Sequence, residues 1–178
     1  MKERILIVGG AGYVGSMLIK KLLNEGYKVR VFDLLIYKVE FEKNIDLEIV
    51  KGDIRDTIEL EKSLHEVDHV IHLACISNDP SFELDPSLGK SINFDPFEKF
   101  VKMCVNNKIK RFIYASSSSV YGLSEEKNVT EDHKLRPLTD YSKFKVECEN
   151  VLLNYKNSDM SWTVIRPATV CGYSIRQR

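Results

Sequence analysis

Apolar residues along this chain alternate between two patterns. Short, largely apolar runs occur at Ile5–Val8, Val29–Phe32, Leu47–Val50, His69–Leu73, Arg111–Ala115 and Thr163–Ile165. Runs of this length with little internal alternation predict strands covered on both faces, as in a parallel sheet. Between them the apolar spacing lengthens to that of a helix. Val14, Met17, Leu18 and Leu22 predict a first helix, closed by Gly26. Further helices are predicted over 56–66, over about 96–107 with Phe97, Phe100, Val101 and Cys104 in phase, and over about 140–156 with Phe144, Cys148, Val151 and Tyr155 in phase. Residues 34–45 are irregular and charged. Residues 123–138 form a polar loop long enough to imply a functional role or mobility.

Strand and helix in strict succession predict an α/β fold, a doubly wound parallel sheet with helices on both faces. The Rossmann-like order 3-2-1-4-5-6 is the expectation for a dinucleotide binder, with residues 1–178 as one domain. The chain's 178 residues are enough for one sizeable core. With 26 basic and 26 acidic side chains, the formal charge is zero, which argues against a nucleic-acid or anionic-membrane partner held by bulk charge. No apolar run approaches the roughly 20 residues of a membrane span, and Ile5–Val8 is too short for a signal-peptide core. A cytoplasmic protein is expected. Cys75, Cys104, Cys148 and Cys171 include no C-x-x-C pair, so buried free thiols are expected and no metal.

Three segments carry candidate chemistry. Gly9, Gly12 and Gly15 lie between the first strand and the first helix. Gly9 suits a tight turn, Gly12 a close approach of backbone to a pyrophosphate, and Gly15 close packing of helix on sheet. The helix N-terminus then offers N–H groups and partial positive charge to phosphates. Asp33 ends the second strand, where a carboxylate accepts hydrogen bonds from ribose hydroxyls and repels a 2′-phosphate. NAD is therefore expected over NADP, with Arg30 a minor opposing charge. Next come four serines, Ser116 to Ser119, ending a strand. Finally, Tyr141 and Lys145 lie one helical turn apart, on one face. A free tyrosine has a pKa of about 10. The ammonium of Lys145, with the charge of an oxidised nicotinamide, favours the phenolate and makes Tyr141 a candidate base for a substrate hydroxyl. Lys145 would also reach the nicotinamide ribose.

Taken together, the chain resembles an extended short-chain dehydrogenase/reductase of the sugar-nucleotide epimerase/dehydratase family. The residues that carry the resemblance are Ile7 to Ser16, Gly52-Asp53-Ile54-Arg55-Asp56, His72-Leu73-Ala74, Ser116 to Gly122, Tyr141 to Lys145, and Arg166-Pro167-Ala168-Thr169-Val170. The resemblance implies NAD held by Gly9, Gly12, Tyr13, Val14, Gly15 and Asp33, with Asp53 and Ile54 near the adenine. It also implies contacts to the cofactor from Leu73, Ala74, Ser116, Tyr141, Lys145 and Pro167. It implies Ser117, Tyr141 and Lys145 as catalytic residues, Ser117 lying four before Tyr121 of V-Y-G. Ser77, Asn78 and Ser118 become candidate contacts to a UDP-hexose. The family's pairing of the helices before and after the fifth strand implies a homodimer, with Val146 and Leu153 outside the core-facing stripe.

Departures from the family narrow the chemistry. Where its dehydratases carry an Asp-Glu pair after the catalytic residue, this chain has Ser118 and Ser119. The glutamate of the decarboxylases and the cysteine of some epimerases are absent there too. Oxidation and reduction at one carbon remain, with C4 epimerisation the leading expectation. Asp95-Pro96 reads as a helix cap and first position, which leaves the family's asparagine, matched by Asn93, ahead of the helix. The chain stops at Arg178, short of the smaller lobe that grips the sugar nucleotide in the family, so a partial enzyme is expected. A non-catalytic NAD-binding module and a dehydrogenase of a non-sugar alcohol are the alternatives.

Overall fold

A computed structural model of the chain describes residues 2–37, 39–124, 126 and 128–176; Met1, Lys38, Glu125, Lys127, Gln177 and Arg178 lie outside it. Six strands form one parallel sheet: β1 (Arg4–Val8), β2 (Lys28–Asp33), β3 (Leu47–Lys51), β4 (His69–His72), β5 (Arg111–Ala115) and β6 (Ser161–Ile165). Their order is β3-β2-β1-β4-β5-β6, as expected from the alternating pattern. Successive side chains of a strand point to opposite faces, and β1 shows the consequence. Leu6 and Val8 enter the larger core, with Val70, Phe112 and residues of the helices described next, whereas Ile5 and Ile7 enter a smaller core with Val29, Val31 and Ile71.

The larger core is covered by α2 (Thr57–Ser63), α5 (Phe97–Asn106) and α6 (Asp140–Asn154), through Leu60, Phe97, Phe100, Val101, Cys104, Cys148 and Leu152. The smaller core is covered by α1 (Tyr13–Asn24), through Ile19 with Leu18, Leu22 and Leu23 at its margin. Here the expected stripe is corrected. Val14 and Met17 are exposed, and Gly15, Ser16 and Ile19 are the buried positions. Gly15 lets the helix close on the loop that precedes it, so the buried face centres on Gly15, Ser16 and Ile19 and not on the largest side chains.

Two short helices were not expected from the apolar pattern: α3 (Asp79–Glu83) and α4 (Pro86–Asn93). Each has a side-chain cap, Asn78 accepting from the Ser81 N–H and Asp85 from the Leu88 N–H. The Asp95-Pro96 expectation is also corrected. Pro96 occupies the N-cap of α5 without a side-chain cap, and the Asp95 carboxylate pairs with Lys90. The cysteine expectation holds for Cys104 and Cys148; Cys75 is half-buried and Cys171 is exposed. Among the described residues, no helix is long and apolar enough to cross a membrane.

Candidate active site at the carboxyl edge of the sheet

Parallel strands all end at one edge, so the segments that follow β1, β4, β5 and β6 meet there. After β1 the chain turns at Gly9, whose φ of +84° belongs to the left-handed region. A Cβ on Gly9 would lie 2.4 Å from the Ala74 nitrogen, so this loop packs directly on the backbone that follows β4. Leu73 and Ala74 both donate their N–H groups to the Val8 carbonyl, at 2.8 and 2.9 Å. A Cβ on Gly15 would meet the Gly10 carbonyl oxygen at 2.4 Å. Gly15 thus lets α1 close on its own preceding loop, a nearer neighbour than the sheet that the sequence suggested.

The first turn of α1 begins at Tyr13 and Val14. It has no side-chain cap and no acidic residue, so no side chain of the turn offsets the partial positive charge of the helix end. Across the loop, Asp33 accepts the Ala11 N–H at 3.0 Å and the Leu35 N–H at 2.9 Å. Arg30 points elsewhere: its guanidinium pairs with Glu48 and donates to the carbonyls of Ser63 and His65. After β3, Asp53 is clamped by Arg55, which holds its carboxyl below the usual range, beside the buried Ile54. A turn whose glycines bring backbone close to backbone, a helix end without a side-chain cap and a carboxylate at the tip of β2 fit a dinucleotide.

A second set of groups comes from β5 and α6. The phase of α6 is set by a capping box: Thr139 accepts from the Ser142 N–H, and Ser142 accepts from the Thr139 N–H. Thr139 also donates to Asp79 at the start of α3, which ties the segment after β4 to α6. This phase turns Tyr141 and Lys145 inward, and both are buried. Lys145 donates to the Ala115 carbonyl at 2.7 Å. Ser117 and the Asn78 backbone lie near enough to the Tyr141 phenol to favour its phenolate, each by less than Lys145 does. Burial pushes the Tyr141 phenol above its ordinary pKa; Lys145 pulls it down by less, and Cys75 adds to the rise. The expectation that Lys145 depresses this phenol is therefore met by its own effect but not by the sum.

The serines divide. Ser116 donates its hydroxyl to Glu149 at 2.5 Å and is buried. Ser117 accepts from the backbone and hydroxyl of Ser119 and starts a 3₁₀ turn, Ser118–Tyr121. Ser118 donates its N–H to the carbonyl of Pro167, which links β5 to the segment after β6. Ser77 is half-buried in the segment after β4, and the carboxamide of the neighbouring Asn78 is engaged in capping α3.

Other contacts here were not foreseen from the sequence. Asn93, ahead of α5 as expected, ends α4 and is buried; its carboxamide accepts the Ile76 N–H and donates to the Ile76 carbonyl, fixing the segment after β4. Glu149 pairs with Arg166, which also donates to the Tyr121 hydroxyl and the Glu131 carbonyl. A glutamate two turns after Tyr141, on the face of Lys145, was the available signal for this pair.

A UDP-glucose 4-epimerase of Lactobacillus helveticus is 28% identical over 174 residues, which is 96% of this chain and 53% of that protein. Among solved structures, the UDP-N-acetylglucosamine 4-epimerase of Methanobrevibacter ruminantium M1, in complex with UDP-N-acetylmuramic acid, is 30% identical. It superposes with a TM-score of 0.85 over 93% of this chain and 55% of that one. The Thermus thermophilus UDP-glucose 4-epimerase in complex with NAD is 26% identical, with a TM-score of 0.84 over 92% of this chain and 54% of that one. The chain spans about half the length of the curated relatives it matches. Residues 5–178 match the model of the NAD-dependent epimerase/dehydratase family, so the chain belongs to that family, whose cofactor is NAD.

Proposed function

We propose that residues 1–178 form the NAD-binding and catalytic domain of a nucleotide-sugar 4-epimerase-like oxidoreductase. The observation that carries this reading is that α6 buries Tyr141 and Lys145 against the end of β5, where Lys145 donates to the Ala115 carbonyl and Ser117 follows, at the same sheet edge as the glycine turn after β1. Gly9, Gly12, Tyr13, Val14 and Gly15 would hold the pyrophosphate, and Asp33 the adenosine ribose. Asp53 and Ile54 would border the adenine; Leu73, Ala74, Ser116 and Pro167 would line the rest of the cofactor cleft. Bound NAD supplies the hydride acceptor and donor for one sugar carbon.

The chain's own residues manage the proton and the position of the oxygen. Ser117 hydrogen-bonds the sugar hydroxyl and holds it against Tyr141. Tyr141 takes the hydroxyl proton as that carbon is oxidised, and returns it on reduction. Lys145 would donate to the nicotinamide ribose and favour the phenolate. Ser77, Asn78 and Ser118 would contact the sugar, with UDP-hexoses the substrate class favoured by the relatives. Serines at 118 and 119, where dehydration needs an acid and a base, favour epimerisation. Four free cysteines among the described residues suit a reducing compartment such as the cytoplasm. The exposed Leu153 and half-buried Val146 on α6 suit pairing with a second copy, which light scattering tests.

Calorimetry with the 178-residue chain tests the core of this reading. NADH should bind more tightly than NADPH, and Lys145→Met should weaken NADH at least several-fold. Equal affinity for the two cofactors would remove the role of Asp33. Unchanged NADH affinity in Lys145→Met would remove that of Lys145.

A further inference from the structure

Lys145 is buried, at 4% exposure, yet among the described residues no carboxylate pairs with it. One N–H goes to the Ala115 carbonyl. The rest of the ammonium's surroundings are aromatic: its nitrogen lies 4.9 Å from the centroid of the Tyr114 ring and 5.6 Å from that of Tyr141. A buried ammonium without a counter-ion is costly unless other groups stabilise its charge. A desolvated ring face within about 6 Å is such a group. A carboxylate would stabilise the charge more strongly, but it would also occupy the N–H groups that the proposed role leaves for a ribose. It would also set a negative charge beside Tyr141 and oppose the phenolate. A ring face does neither.

Tyr114 is itself fixed on every side. It is buried on β5, near the Cys148 thiol, which donates to the Asn93 carbonyl at 3.4 Å. Its ring stacks on His72 of β4 at 5.7 Å and tilts against Phe97 of α5 at 4.8 Å. The titratable groups that feel the ammonium are His72 from β4, Tyr114 from β5, and Tyr141 and Cys148 from α6; the Glu149 carboxylate, one turn along α6, is taken by Ser116 and Arg166. Burial brings the His72 pKa down to about 3, so no second positive charge competes for the ring at neutral pH.

We propose that Tyr114 is a positioning residue, its ring face holding the Lys145 ammonium in place beside Tyr141 and in contact with the Ala115 carbonyl. The proposal rests on the role given to Lys145 above, and its test is separable from that role. In the 178-residue chain with ¹⁵N-labelled lysine, the Lys145 ammonium signal, assigned by its loss in Lys145→Met, gives the exchange rate of its protons with water. Tyr114→Phe keeps the ring and should leave that rate within about twofold. Tyr114→Leu should raise it roughly tenfold, the scale of a desolvated cation–π contact, and weaken NADH about fivefold.

Tyr114→Leu also removes packing, so a second series holds shape nearly constant. Phenylalanines carrying one, two and three ring fluorines at position 114 drain the negative ring face in steps. The exchange rate should climb with each fluorine. A flat series, an unchanged rate in Tyr114→Leu, or a rise in Tyr114→Phe equal to that in Tyr114→Leu would each overturn the proposal. Unchanged NADH affinity in Lys145→Met is a different result: it removes the role of Lys145 in the site, whatever holds its ammonium.

Discussion

Replacing Glu149 by alanine removes the carboxylate at the centre of a buried junction. Glu149 is on α6, Ser116 follows β5 and Arg166 follows β6, so one side chain joins three elements. Arg166 Nη2 approaches Glu149 Oε2 at 2.6 Å and Nε approaches both oxygens at 3.1 and 3.2 Å, with side-chain exposures of 20% for Arg166 and 7% for Glu149. Removing one partner of a buried pair costs about 3–5 kcal/mol, mostly the penalty of the charge left behind. Arg166 would keep the Tyr121 hydroxyl at 2.8 Å, the Glu131 carbonyl at 3.1 Å and some solvent. The cost therefore belongs at the lower end, about 3 kcal/mol. At roughly 2–4 °C per kcal/mol for a chain of this size, Tm should fall by about 6–12 °C. Urea titration gives the free energy directly. The double variant Glu149→Leu/Arg166→Met leaves no orphaned charge and should lose only about 1 kcal/mol. A single-variant loss below about 1 kcal/mol, or a double variant as unstable as the two single losses added, would refute the reasoning.

Three further outcomes are expected. His72 has its pKa lowered to about 3 by burial and then by the Lys145 charge, and its Nδ1 has no partner among the described residues. Folded and unfolded forms are both neutral above the unfolded pKa of 6.5. Below it only the unfolded chain takes the proton, so stability should fall from about pH 6.5 towards 3, by about 2 kcal/mol at pH 5; His72→Phe should flatten that slope in urea titrations at pH 7 and 5, and an unchanged slope would show that another group governs it. Gly9→Ala forces a side chain onto a φ of +84° and against the Ala74 backbone, so it should destabilise by about 1–3 kcal/mol and weaken NADH beyond detection by calorimetry; wild-type affinity would show that the glycine turn is not used. Tyr141→Phe should bind NADH normally but, in any preparation that turns over a UDP-hexose, lose about 10²–10⁴-fold in rate; undiminished turnover would reject Tyr141 as the proton-transfer group.

Every strand was legible in the sequence because each is a short apolar run with a turn signal after it, and a parallel sheet buries both faces. The sheet order followed from strand-helix succession and its fixed handedness. Helices α3 and α4 were not legible by apolar spacing, since each is too short to show a period. Their signal was capping chemistry, Asn78 before Asp79-Pro80 and Asp85 before Pro86. The same Asp-Pro signal at Asp95-Pro96 pointed to a cap that α5 does not have, because the Asp95 carboxylate is taken by Lys90. A dipeptide gives a preference, and the competing partner decides. In the site, residues spaced along one element, such as Tyr141 and Lys145, could be paired in advance. Junctions between elements could not: Ser116 with Glu149, Glu149 with Arg166, Asn93 with Ile76, and Tyr114 with Lys145 are separated by 17 to 33 residues.

The state of Tyr141 joins the two halves of the candidate site. Burial raises the phenol's pKa by more than Lys145 lowers it, so at neutral pH this chain's own charges leave Tyr141 protonated. A protonated tyrosine can donate to an oxygen but cannot take a proton from one. On the proposed reading, proton acceptance therefore needs further positive charge next to the phenol, and an oxidised nicotinamide carries one. The site would then be poised as a base with oxidised cofactor bound and as an acid with reduced cofactor bound. Those are the states in which a sugar hydroxyl must lose its proton and a keto oxygen must regain it. Burial of Tyr141, which looks unfavourable for a base when considered alone, is what would make its proton follow the redox state of the cofactor.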